Sequence, residues 1–266
     1  MGQQPPEPAP VAFQLSKWYA DAVSPEGDVF IGYRARLHSG AFDISYAAAL
    51  DTAHTHAPCH TPFHIDRREI HWRAPSLGVD ARWQRTSSGI RATIYESTEG
   101  AVEWHCLVPK GAAAVDRKGR RTVDGLGYVE HLRVTIPPWQ LPIRTLRWGR
   151  FLSARHSLVW IDWQGDFSAR LAYLDGAPVA ASAISDDGLT LVDGSRATFD
   201  RGMVLRHGTL GSNVLHAVPG IDTIAPAEIF LMEETKWRSR TTLTSSADGP
   251  EEGWSIHEIV QWPPMV

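Results

Sequence analysis

Between residues 28 and 37, DVFIGYRARL, apolar and polar side chains alternate: Val29, Ile31, Tyr33, Ala35 and Leu37 share one face, with Arg34 and Arg36 on the other. A period of two is the pattern of a half-buried strand. IRATIYE, VEWHCLV, YVEHLRVTI, SLVWIDW, ARLAYLD, LTLVDG, ATFDRGMVLRHG, EIFLMEE and WSIHEIV follow at short intervals, separated by turn signals such as Asp175-Gly176 and Asp193-Gly194. No stretch keeps a period of 3.6 for about 12 residues, although FDISYAAAL and RTLRWGRFL read equally as a short helix or an edge. The pattern predicts an all-β chain whose many short antiparallel strands remove their edges by closing into barrels or sandwiches.

A small, charged, Gly-punctuated stretch near residues 110–126 interrupts the pattern. It divides the chain into a lead over 1–11, a β-domain over 12–124 and a second over 125–266. The Pro/Gln-rich lead has too little apolar surface to offset the entropy of ordering, and reads as disordered.

Composition narrows the function. A formal net charge of −4 excludes a nucleic-acid binder acting through bulk charge. No window approaches the roughly 18 apolar residues of a membrane span, and the N-terminus lacks the basic start and apolar core of a secretory signal. Cys59 and Cys106 are too few for a disulfide framework, so the expectation is a cytoplasmic protein. Eleven Trp is a surplus that must build the core or line a cavity.

In GYVEHLRVTI, alternation puts Tyr128, Glu130, Leu132, Val134 and Ile136 on one face. Glu130 is thus a carboxylate among core-facing residues, and desolvation raises the pKa of such a group. It is either a neutral acid or half of a buried ion pair with Arg150 or another Arg. In WSIHEIV, Glu258 shares a face with Trp254, Ile256 and Val260. Buried charges are usually paired, which favours a structural salt bridge with an inward Arg. IPPWQLPIRTLRWGRF is a proline-stiffened segment bearing Trp139, Trp148 and Arg150, suited either to line a pocket or to plug a domain interface. Adjacent Trp104 and His105 face opposite ways on a regular strand unless a bulge intervenes.

His54, His56, His60 and His64 have workable zinc spacings but match no specific zinc signature. No phosphate-binding Gly-rich loop opens a helix, and no G-x-S-x-G elbow is present.

WHCLVP (104–109), GLGYVEHL (125–132) and RWGRF (147–151) together resemble the carotenoid 1,2-hydratase (hydroxyneurosporene synthase) family. The resemblance implies two lipocalin-like antiparallel β-domains in tandem. The family shows a Trp/His-bearing strand, a Gly-Tyr-x-Asp-x-Asn-type motif and a Trp-x-Arg. Here Tyr128 takes the tyrosine position and Glu130 the aspartate position, with Trp104 and His105 upstream and Trp148 and Arg150 downstream. Glu replaces Asp, and Leu132-Arg133-Val134 stands where the hydratases have Asn-x-Gly. Relatives of this architecture include cyclases and isomerases.

The expected function is a cofactor-independent hydratase, or a related isomerase or cyclase, acting by acid catalysis on a carbon–carbon double bond of a hydrophobic isoprenoid or carotenoid-like substrate. Glu130, Tyr128 and His105 are the expected catalytic residues; Trp104, Trp139, Trp148, Arg150, Trp160 and Glu258 are expected to shape the substrate site. No metal or organic cofactor is required. The expected partner is a small hydrophobic molecule, with no nucleic acid; transient contact with a membrane surface and the oligomeric state stay open. Two other classes compete: a non-catalytic lipocalin-like carrier of a hydrophobic ligand, and a metal-dependent enzyme built on His54–His64. Elemental analysis of the purified protein decides the last. Stoichiometric zinc, iron or copper supports it; the expected result is none.

Overall fold

In a computed structural model the described residues are 13–50, 54–58, 61–120, 122–214, 220–245 and 249–263. The fold is all-β, with two antiparallel sheets following one another along the chain. The first contains β1 (Phe13–Val23), β2 (Val29–Ser39), β3 (Phe42–Leu50), β4 (His54–Pro58), β5 (His64–Ile65), β6 (Glu69–Ala74), β7 (Val79–Gln84), β8 (Ile90–Ser97), β9 (Gly100–Arg117) and β10 (Val123–Val134). Its order is β4-β3-β2-β1-β10-β9-β7-β6-β5, with β8 also paired to β9. The second contains β11 (Thr145–Leu152), β12 (Ser157–Gln164), β13 (Ala169–Leu174), β14 (Ala177–Val179), β15 (Ala181–Ser185), β16 (Gly188–Leu191), β17 (Arg196–Thr209), β18 (Glu233–Ser245) and β19 (Gly249–Gln261). Its order is β14-β13-β12-β11-β19-β18-β17-β16-β15.

Three apolar layers result. The first sheet curls around Trp72, Trp83, Phe30, Phe63 and the small residues Ala20, Ala22, Ala47 and Ala49. The second wraps Phe151, Trp160, Phe199 and Leu243. Between the sheets lies a third layer that draws on both, including Tyr19, Tyr33, Trp104 and Tyr128 from the first and Trp148, Val159, Ile161, Trp163 and Ile256 from the second. Strands bordering that layer are buried on both faces, which is why SLVWIDW is nearly continuously apolar.

Several elements differ from the sequence expectation. FDISYAAAL and RTLRWGRFL are the regular strands β3 and β11. EIFLMEE is not one strand: Ala227–Leu231 forms a 3-10 turn that leads into β18. The stretch near 110–126 is not a linker but the hairpin of β9 and β10, paired from Val123↔Val115 inward. Two of its glycines are required by close approach, since a Cβ on Gly111 would lie 2.0 Å from the Gln84 carbonyl oxygen and one on Gly125 2.0 Å from that of Val23. The expected division after residue 124 therefore falls inside β10, a strand paired on both sides within the first sheet. The passage between sheets runs through residues 135–144. Residues 1–11 lie outside the described residues. At Asp175-Gly176 the expected hairpin turn forms, with φ of 52° and 82°, the left-handed pair of a type I′ turn.

One ion pair crosses the interlayer. Arg150 on β11 donates through Nε (3.1 Å) and Nη2 (2.6 Å) to the two carboxylate oxygens of Asp21 on β1, and through Nη1 to the Trp254 carbonyl at 2.8 Å. Both side chains are completely buried. Removing one partner of such a pair strands a charge, at about 3–5 kcal/mol. Asp21→Asn and Arg150→Met are each expected to lose stability of that order in urea unfolding, and Asp21→Leu/Arg150→Met to recover at least half of it. Single losses below about 1 kcal/mol would show that the pair does not hold the sheets together.

Candidate functional site

Glu130 belongs to the face of β10 that meets the second sheet, not to the lumen of either curled sheet. Its neighbours across β1 and β9 are Tyr19 and Cys106, both buried. Two successive register shifts in the β9–β10 ladder lie beside it, between Gly127, Val129 and Glu130. They let Leu107 and Val108 both turn into the first sheet's core while Trp104 and Cys106 stay in the interlayer.

Three donors converge on one carboxylate oxygen. Oε2 of Glu130 accepts from Trp104 Nε1 at 2.5 Å, Tyr128 Oη at 2.6 Å and Trp148 Nε1 at 3.2 Å. Trp148 comes from the second sheet, so the constellation is complete only when the sheets are docked. Oε1 accepts no hydrogen bond from the described residues and keeps accessible surface. Glu130 is half-buried, with protein atoms around most of its carboxyl group. Burial is the main influence on its pKa and raises it above the ordinary carboxylate value. The hydrogen bonds from Tyr128 and Trp104 and the charge of Lys17 act against that, and Glu258 acts with it. Arg150 is not its partner, being committed to Asp21.

The surroundings are aromatic. Tyr19 meets the Trp148 ring edge-on at 4.9 Å, Tyr128 meets it at 5.7 Å, and Trp104 lies 5.8 Å from Tyr173 of the second sheet. Burial pushes the Tyr128 phenol and the Cys106 thiol well up, keeping both neutral donors.

Next to Trp148 in register is Glu258, and the charged row continues across β18 and β17. Glu258 pairs with Lys236, a Lys rather than the expected Arg. Arg206 binds Glu234 through both oxygens, at 2.5 and 2.7 Å. Burial would strip the Lys236 proton, but Glu258, Tyr33 and Glu234 outweigh it and hold its pKa above the usual value. Burial likewise opposes ionisation of Glu234, yet Arg206 and Lys236 bring it down to about 2. Sequence reasoning found Glu258 but missed Lys236, Arg206 and Glu234, because on β17 and β18 they look like the charges of any solvated strand face.

The other expected residues lie elsewhere. His105 points to the opposite face from Trp104, opposite His131, and lines a 390 Å³ groove with Arg91, Glu103 and Arg133. It has no contact with Glu130. Trp160 is buried in the second sheet's core, stacked on Phe199 at 5.3 Å, because it alternates with the interlayer residues Val159 and Ile161. Trp139 packs against Phe13, edge-on at 5.8 Å. Arg150 lines a 520 Å³ cavity with Leu126, Leu152, Arg240 and Trp254, though its own donors are occupied. Glu130 lines neither cavity. His60 and the side chains of His54 and His56 lie outside the described residues; His64 is exposed on β5. Among the described residues no three His, Cys, Asp or Glu side chains form a metal-binding group, and no helix is long and apolar enough to cross a membrane.

No protein-family model matches the chain, and no curated protein matches it significantly. Solved structures do. CghA with Sch210972 aligns with a TM-score of 0.56 at 9% identity, covering 94% of this chain and 89% of that one. Kievitone hydratase from Nectria haematococca aligns at 0.53 and 10% identity, covering 92% and 88%. An ATTH-like protein of Nitrosomonas europaea gives 0.55 at 11% identity, covering 95% and 93%. The chain shares their fold. The alignments run over nearly the full length of both chains.

A carboxyl group whose pKa is raised by folding binds its proton more tightly folded than unfolded. Its contribution is fully present below the unfolded carboxylate pKa of about 4.3 and is lost as pH rises through the higher folded value. Glu130→Gln, which carries no charge, is therefore expected to be close to wild type in stability at the acid end and progressively more stable relative to it toward neutral pH. Urea unfolding of both proteins as a function of pH measures this; a difference independent of pH would mean that Glu130 titrates as it does in the unfolded chain.

Proposed function

We propose that the chain is a cofactor-independent hydratase, or a related isomerase or cyclase, that protonates a carbon–carbon double bond of a hydrophobic, isoprenoid-like substrate with Glu130. The observation carrying the reading is the division of labour on its carboxyl group. All three donors bind Oε2, while Oε1 is unpartnered and accessible, so Oε1 is where a transferable proton would sit.

The chemistry follows from that asymmetry. Protonation of one alkene carbon by Oε1–H leaves a cation on the more substituted carbon and a carboxylate on Glu130. The bonds from Trp104, Tyr128 and Trp148 strengthen as negative charge develops, so they stabilise the transition state more than the ground state. The faces of Trp148 and its aromatic neighbours contribute roughly 0.5–2 kcal/mol to a nearby cation. Water capturing the cation forms the C–O bond and returns its proton to Glu130, closing the cycle with net addition of water. Loss of a neighbouring C–H proton to Glu130 instead gives isomerisation, and attack by a second double bond followed by loss of a C–H proton to Glu130 gives cyclisation. Tyr128 positions the acid; His105, on the far face, has no part in this scheme. The fold shared with a kievitone hydratase supports a hydration chemistry without specifying a substrate.

A non-catalytic carrier is the second reading. It is favoured by the 520 Å³ cavity, whose lining is largely apolar and excludes Glu130. Turnover separates the two. Glu130→Gln is expected to lose about 10²–10⁴-fold in rate while keeping its fold and its affinity for an isoprenoid ligand measured by Trp fluorescence quenching. Normal product formation by that variant removes Glu130 from the mechanism, and absence of any product with wild type leaves the carrier.

A further inference from the structure

The face of the first sheet turned away from Glu130 carries a second polar cluster. Arg91 on β8, His105 on β9 and His131 on β10 are neighbours in register, and Trp18 on β1 continues the row. The two imidazoles and Arg91, with Glu103 and Arg133, line the 390 Å³ groove. Behind them the row is anchored in the core. His131 stacks on Trp18 at 4.6 Å, Trp18 on Phe63 at 5.0 Å and Phe63 on Trp72 at 4.9 Å, so four rings run from the packed lumen to the groove. Ser16 Oγ lies 2.8 Å from Nε2 of the same imidazole. A ring held by a stack on one face and a hydroxyl at one nitrogen is pre-positioned, which a merely solvated strand face does not require.

The groove is also positive. Two guanidiniums line it against one carboxylate, and Glu103 is already bound by Arg133 at 2.5 Å. Arg34 and Arg85 add to the field from β2 and from the segment before β8. Burial and the charges of Arg91 and Arg85 hold His105 below the usual imidazole value. Burial, His105, Arg133 and Arg34 bring His131 down to about 4, with Glu103 opposing them. A cleft lined by one sign of charge concentrates ions of the other.

We propose that this groove binds a tetrahedral oxyanion, the phosphate or sulfate group of a small-molecule ligand, between Arg91 and Arg133, with His105 and His131 as the donors between them. The site is independent of the proposed function, because it lies on the opposite face of β9 and β10 from Glu130. A planar carboxylate is satisfied by one guanidinium fork. The donors here come from three adjacent strands roughly 5 Å apart, which suits an anion whose oxygens point to several sides. At roughly 30 Å³ per water, a five-atom ion fills a small part of the groove, so the anion is one end of a larger molecule. Its charge favours protonated imidazoles, so binding takes up protons and tightens as pH falls.

The test follows the histidine ring signals of the full chain by NMR, assigned with His105→Gln and His131→Gln, as sodium sulfate replaces sodium chloride at constant ionic strength. Sulfate does not titrate in this range, so any pH dependence belongs to the protein. The His105 and His131 signals are expected to shift along a saturating curve, about tenfold tighter at pH 5.5 than at pH 7.5. At pH 7.5, phenyl phosphate should bind several-fold more tightly than sulfate and about tenfold more tightly than benzoate, its carboxylate analogue. Arg91→Gln should weaken sulfate about fivefold or more, whereas Arg144→Gln, exposed on the other sheet, should not. Should Arg91→Gln fail to fold, the wild-type pH profile and probe ranking still decide. Shifts that never saturate, or that survive Arg91→Gln unchanged, mean an adventitious ion only and overturn the proposal. So does an affinity independent of pH, or benzoate binding as tightly as phenyl phosphate. Phenyl phosphate no tighter than sulfate overturns the larger ligand.

Discussion

The buried Asp21–Arg150 pair is the constraint on which the rest of the molecule depends. It is a fully buried ion pair that ties a strand of the first sheet to a strand of the second, beside directed bonds such as Trp148 to Glu130 and Arg206 to Tyr33. Apolar layers slide at little cost, because burial is roughly proportional to area and indifferent to register. A two-pronged guanidinium–carboxylate contact does not slide. Arg150 lies two residues from Trp148 on β11, and Asp21 two residues from Tyr19 on β1. Fixing the pair therefore aims the Trp148 indole at Glu130, which sits opposite Tyr19 on the neighbouring strand. Such a pair adds little net stability over an apolar substitute, but it specifies one docking arrangement among many.

That dependence explains why the candidate site lies between the sheets and not within either. Each lumen is filled, one by Trp72, Trp83 and alanines, the other by Trp160, Phe199 and leucines. The Trp surplus is thus used twice. Most of it packs cores, and Trp104 and Trp148 spend their N–H groups on a carboxylate that would otherwise be poorly solvated. The charged row of Glu258, Lys236, Arg206 and Glu234 then forms a second polar edge on the opposite sheet. The interlayer is an apolar layer with an acid at one side and an array of paired charges at the other.

The period-two pattern made the strands legible, and with them the burial of Glu130. Alternation placed Tyr128 and Glu130 on one face and separated Trp104 from His105, and the ladder registers agree. Alternation also placed Glu258 inward, where it pairs with Lys236. What it could not supply was the identity of the opposing surface. Trp160 has the same pattern as its interlayer neighbours Val159 and Ile161, but a strand buried on both faces has no polar side to mark which apolar residues look which way. The small-residue stretch near 110–126 looked like a linker for a related reason. Gly is used in linkers for its freedom, and at Gly111 and Gly125 because neighbouring backbones leave no room for a side chain.

The amino-acid order by itself therefore determined the all-β class, the positions of most strands and turns, and the presence of a carboxylate on an apolar face, because these follow from side-chain alternation within a few residues. Only the tertiary structure decided that this face meets the second sheet, that Arg150 serves Asp21 rather than Glu130, and that Lys17, Lys236 and Arg206 gather around one tyrosine. Those facts depend on pairings between residues more than a hundred positions apart, such as Asp21 with Arg150 and Tyr33 with Arg206. No local pattern encodes such pairings: they arise when two sheets find the one arrangement that buries their apolar faces while satisfying the charges caught between them.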